Sequence, residues 1–225
     1  MKQDRLSTPF KTSVLIILFL IINLTSSAHD VVGELEKMSA ADAALLYLQL
    51  GFTHILPLGF DHILFVLSLF LLSPKLKPVL WQATAFTVAH SITLGLAMFK
   101  VITPSPAIVE PIIALSIMYV ALENILSPSL KKSRIGIVFL FGMVHGMGFA
   151  NALGSLGLPQ NSYITSLLMF NVGVELGQLA VILGAFFLFG KWFGNKPYYR
   201  KYIVIPLSVI ITIIAGYWTV ERLFF

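Results

Sequence analysis

Several stretches of this chain combine apolar composition with histidines and carboxylates at spacings that can hold a metal ion or relay protons. GFTHILPLGFDHILFVLSLFLL, residues 51–72, carries His54, Asp61 and His62. TAFTVAHSITL, residues 84–94, places His90 and Ser91 three and four positions after Thr87, on one helical face. FGMVHGMGFANALG, residues 141–154, contains His145, and FNVGVELGQ, residues 170–178, spaces Asn171, Glu175 and Gln178 at i, i+4 and i+7. An ionisable side chain at the centre of a membrane span costs about 2.5–3.5 kcal/mol on insertion scales, so such residues face a bundle interior and take partners. Converging imidazoles and carboxylates can share protons or coordinate a divalent cation. Nitrogen and oxygen donors without thiolate suit Ni²⁺, Co²⁺, Zn²⁺ or Mn²⁺.

The elements that must position these groups are membrane spans. Of 225 residues, 57% are hydrophobic and only 11% are charged, whereas soluble domains carry about 25% charged residues. The net charge of +5 would suggest nucleic acid in a soluble domain. Here the basic residues sit in short clusters between apolar runs, where they act as topology signals, and nucleic-acid binding is excluded. The absence of cysteine removes disulfides, thiolate ligands and a cysteine nucleophile.

The N-terminus has the form of an export signal. Lys2, Arg5 and Lys11 precede VLIILFLII, residues 14–22, which is too short for the roughly 20 residues of a span, and SSA ends at Ala28. Cleavage after Ala28 would make residues 1–28 a signal peptide and expose His29, whose α-amine and imidazole could meet a metal ion. Residues 29–51 then form an extracytoplasmic leader. Within it, ELEKMSAADAALLYLQL, residues 34–50, reads as a short interfacial helix, with Ser39 as cap and Asp42 three residues on.

Residues 52–225 divide into six spans, at about 52–73, 80–99, 107–127, 135–155, 164–190 and 202–222. Lysine and arginine gather after the first, third and fifth, while the other loops contain only Lys100. By the positive-inside rule both termini face outward. The expected fold is therefore an all-α membrane protein, a signal peptide followed by an N-out/C-out six-helix bundle in the bacterial inner membrane.

This topology sets depth. On a continuous first span, His54 lies at the outer end and Asp61, seven residues on, shares its face about 10 Å deeper. His62, His90, His145 and Glu175 fall near mid-depth, with Asp61 placed to orient a neighbouring imidazole. Glycines in GMVHG and GVELG, residues 142–146 and 173–177, match a close-packing pattern that would bring His145 and Glu175 within reach of each other. Glu110, before Pro111, reads as an interfacial charge, Glu123 and Asn124 as a step at the inner end, and Glu221 with Arg222 as an interfacial pair.

The ordered motifs GFTHILPLGFDHILFVLSL, TAFTVAHSITL, VEPIIALSI, FGMVHGMGFA and FNVGVELGQ resemble the HupE/UreJ membrane proteins over about residues 51–178. The resemblance implies a nickel or cobalt permease with a signal peptide and six spans. The positions matching the family's polar motifs are His54, Asp61, His62, His90, His145 and Glu175. Hydrogenase-linked members carry HPxxGxDH, whereas this chain reads HILPLGFDH, with one more residue after His54 and the proline at Pro57. On an unbroken helix, that insertion turns His54 by about 100° relative to Asp61.

Two mechanisms from different classes fit the residues. A permease would take a divalent cation past His29 or His54 to the mid-depth groups, with Thr87, Ser91, Asn171 and Gln178 supporting them, and release it toward Glu123. A zinc-dependent intramembrane hydrolase would use three histidines and leave one position open for water. A third reading is an accessory protein that binds metal for the assembly of another membrane protein. The expected partners are the metal ion and the bilayer, with a homo-oligomeric or accessory contact left open.

Overall fold

The computed structural model describes residues 38–156 and 158–225; the expected signal peptide and His29 lie outside the described residues. The described chain is helical, with no strand. Seven helices follow one another: α1 (Ala40–Ile55), α2 (Phe60–Leu72), α3 (Leu76–Met98), α4 (Pro106–Leu126), α5 (Arg134–Leu156), α6 (Tyr163–Phe193) and α7 (Arg200–Phe224). Five of them, α3 to α7, are long and apolar enough to cross a membrane, and the bent pair α1 and α2 supplies a sixth if counted as one span. The chain is a multi-pass membrane protein. The last three helices start within two residues of the expected boundaries, and π-helical turns at Phe186–Gly190 and Arg200–Val204 lengthen α6 and α7.

The first span differs from expectation. Residues 40–72 form two helices bent by 67°. Pro57 in the linker has no N–H to continue the ladder, and the Leu56–Pro57 peptide is cis. Gly59 opens α2, where a Cβ would overlap the His54 carbonyl, so the chain can double back only with glycine there. Ser39 caps α1 by accepting from the Asp42 backbone N–H, as the sequence suggests. That helix nevertheless runs past residue 51 to Ile55 and packs along α6 through Ala43, Tyr47, Gly51 and Ile55, spaced at four-residue intervals on one face.

Three intimate helix pairs make the bundle: α1 with α6, α3 with α5, and α4 with α7. The short α2 is the inner helix, with His62, Phe65, Val66, Ser68, Leu69, Phe70 and Leu71 all buried. A Cβ on Gly51 would overlap the Phe170 carbonyl and one on Gly173 the Leu48 carbonyl, which is how closely α1 and α6 approach. Gly142 and Gly146 press instead on the carbonyls of Phe86 and His90 in α3. The two glycine pairs therefore serve different helix pairs.

Candidate metal centre

The break between α1 and α2 builds the centre. His54 lies in the last turn of α1 and His62 in the first turn of α2, and the fold-back sets their ring centroids 4.7 Å apart. His90 arrives from α3, with its ring centroid 6.3 Å from that of His54 and 6.0 Å from that of His62. One ring nitrogen of each of the three lies within 4.8 Å of the others, the one such group of histidine and acidic side chains among the described residues. A cation bonded to three imidazoles at about 2.0–2.1 Å holds their nitrogens about 3.4 Å apart, so the rings would close by up to about 1.4 Å.

The donor set fits a metal ion on a second observation. The Nε2 atoms of His54, His62 and His90 are buried and make no hydrogen bond. A buried ring nitrogen without a partner is costly unless something else engages it. For His90 the neighbours decide which nitrogen is free. Asn171 donates its amide to the Leu167 carbonyl at 2.8 Å, which turns its oxygen toward His90 Nδ1 at 3.4 Å. The Nδ1–H donates, and the lone pair is left on Nε2.

His145 stands beside this group. Its ring centroid is 5.0 Å from that of His62. The Ser116 hydroxyl has one proton and donates it to the Ile113 carbonyl at 2.7 Å, so it accepts from His145 Nε2–H at 2.9 Å. His145 then presents a lone pair on Nδ1, again without a partner. Phenylalanines enclose the imidazoles: Phe149 has its ring centroid 3.9 Å from that of His54, and Phe86 lies 4.9 Å from His145. Such walls put apolar, low-dielectric material around the imidazoles, which strengthens any charge interaction there.

A cavity of about 670 Å³ reaches the centre from one end, lined among others by His54, Asp61, His62, Glu110, His145 and Arg222. At its mouth one Arg222 nitrogen lies 3.0 Å from both Asp61 oxygens, and the other donates to the Glu110 carbonyl at 3.3 Å. This corrects two expectations. Asp61 holds a guanidinium rather than orienting an imidazole, because it points about 100° around α2 from His62. Arg222 pairs with Asp61 rather than Glu221, since adjacent helical residues diverge by the same angle.

The remaining carboxylates stand apart from the histidines. Glu175 accepts from the Thr84 hydroxyl at 2.7 Å on the seam between α3 and α6, and the glycines around it pack on α1, so it does not meet His145. Gln178 accepts from Thr87 at 3.2 Å on the same seam. Ser91 donates to the Thr87 carbonyl and is not directed at the centre. Glu123 is bound by Arg134 at 3.2 Å, and Asn124 accepts from Arg134 while donating to the Ser68 carbonyl. These bonds tie α2, α4 and α5 together at the end of the bundle opposite the cavity. Sequence reasoning missed Ser116, although it lies within the quoted VEPIIALSI. The available signal was a lone hydroxyl in an otherwise apolar run.

No curated protein and no solved structure matches the chain. The family model described as HupE / UreJ protein matches residues 30–222, nearly the whole length. On that match the chain belongs to the HupE/UreJ family.

Proposed function

We propose that the chain is a divalent transition-metal permease of the nickel or cobalt type, in the bacterial inner membrane with both termini outward. The observation that carries this reading is the convergence of His54, His62 and His90 with three unpartnered Nε2 atoms beside an open cavity. The cation, as substrate, enters past Asp61 and Glu110, exchanges water for the three imidazoles and passes to Nδ1 of His145. Glu175, on its separate seam, is assigned the coupling proton. Inward movement of a divalent ion gains roughly 4.6 kcal/mol per 100 mV of membrane potential.

A second reading is favoured by the bonds at the opposite end. With Glu123 held by Arg134, the protein can keep a metal ion without passing it, as an accessory metal-binding protein would. Uptake of Ni²⁺, Co²⁺, Zn²⁺ and Mn²⁺ into proteoliposomes under an imposed potential, with His62→Ala as control, separates the two. Uptake of one ion that vanishes in the control supports the permease. Stoichiometric binding without flux overturns it in favour of the accessory role.

A further inference from the structure

A second cavity, of about 330 Å³, lies at that opposite end of the bundle, where the loop after α4 meets the start of α3. Trp81, Gln82, Lys131, Lys132, Arg134 and Ile135 are among the residues that line it. Three of these six are cations. Neither lysine has a carboxylate partner among the described residues, and Glu123 is the one acid bonded to Arg134.

Arg134 points to the ligand's chemistry. Its side chain is 1% exposed, and its two terminal nitrogens are used on Asn124, Glu123 and the Ser68 carbonyl. The Nε–H has no acceptor. That guanidinium lines the cavity beside the two lysines, and a phosphate is the anion that guanidinium and ammonium groups together suit best. Trp81, 62% exposed, and the exposed Ile135 give the mouth an apolar side. Tryptophan in such a position anchors at a bilayer interface. A free phosphate would leave that side unused, whereas a lipid lays its acyl chains along it.

We infer that this cavity binds the phosphate of an anionic phospholipid, with Lys131 and Lys132 gripping the headgroup and Arg134 forming the floor. Basic pockets between spans take such headgroups where the leaflet is anionic. The bound phosphate reinforces the bonds at this end, because the same guanidinium holds Glu123 and Asn124.

The test uses the full chain, delipidated in detergent, with retention of phosphatidylglycerol and phosphatidylcholine compared by native mass spectrometry. One equivalent of phosphatidylglycerol is expected to persist where phosphatidylcholine is lost. Lys131→Gln with Lys132→Gln should weaken retention by about fivefold per lysine. The charge-preserving Lys131→Arg with Lys132→Arg should restore it, which separates lost charge from misfolding. Equal retention of the two lipids, or unchanged retention in the glutamine variant, overturns the proposal. Displacement of the lipid by millimolar inorganic phosphate assigns the site to free phosphate and also overturns it.

Discussion

His54 and His62 face each other with ring centroids 4.7 Å apart although they belong to different helices, because the chain turns through 67° between them. Two features of the linker make that turn possible, the missing N–H of Pro57 and the missing side chain of Gly59. The pairing is thus a property of residues 56–59 as much as of the imidazoles.

Gly59→Ala tests this dependence. A Cβ there would overlap the His54 carbonyl, so the linker must shift and the two rings must separate. Metal affinity is expected to fall at least tenfold, with a stability loss of about 1–3 kcal/mol for the backbone shift that the added methyl forces. Metal titration and a denaturation curve on one sample check both, and wild-type affinity would count against the fold-back as the source of the site.

His62→Ala and His90→Ala are each expected to abolish measurable metal binding while leaving membrane insertion intact. Asn171→Leu, which removes the acceptor at His90 Nδ1, should lower affinity by about 10–100-fold, as loss of a supporting bond to a ligating histidine does. Isothermal titration with Ni²⁺ and Co²⁺ measures all three. Normal affinity in both histidine variants would sink the shared site.

Chelation should loosen the fold around α1 and α2. A ligand at a hundred times its dissociation constant stabilises the bound state by about 2.7 kcal/mol. The unfolding midpoint is therefore expected to drop when metal is stripped with a chelator and to recover on adding it back. His62→Ala should show no such shift, and a shift of equal size in that variant would place the metal elsewhere.

Arg222→Gln frees Asp61 and removes a positive charge from the mouth of the cavity. Both partners are partly exposed, so the stability change should stay within about 1 kcal/mol. Cation entry should quicken and become more sensitive to ionic strength. Stopped-flow binding at two salt concentrations reads the effect; a slower association would show that the guanidinium helps entry.

Glu123→Gln addresses the other end. Arg134 is buried, and removing its carboxylate partner leaves an uncompensated charge at a cost of about 3–5 kcal/mol. Thermal unfolding in detergent is the measurement, and an unchanged midpoint would mean that Asn124 and the Ser68 carbonyl suffice for the guanidinium.

Much was legible in the sequence because it depends on local composition. Apolar runs of span length place α3 to α7 nearly at their boundaries, Ser39 and Asp42 mark the start of α1, and the cost of burying imidazoles points to them as candidate ligands. Helical periodicity then misled at the first span. It carried His54 and Asp61 along one face, whereas the chain breaks between them.

What only the tertiary structure decided is which polar groups meet. Arg222 reaches Asp61 and Ser116 reaches His145, each from another helix. The glycines of α5 and α6 pack against different neighbours, which sets Glu175 beside Thr84 and leaves Glu123 with Arg134. Hydropathy measures how deep a residue can sit, but it carries no information about which way its helix is turned or which helix lies alongside. Those are settled when backbones approach closely at glycines and every buried charge must find a partner, conditions that involve residues far apart in the chain.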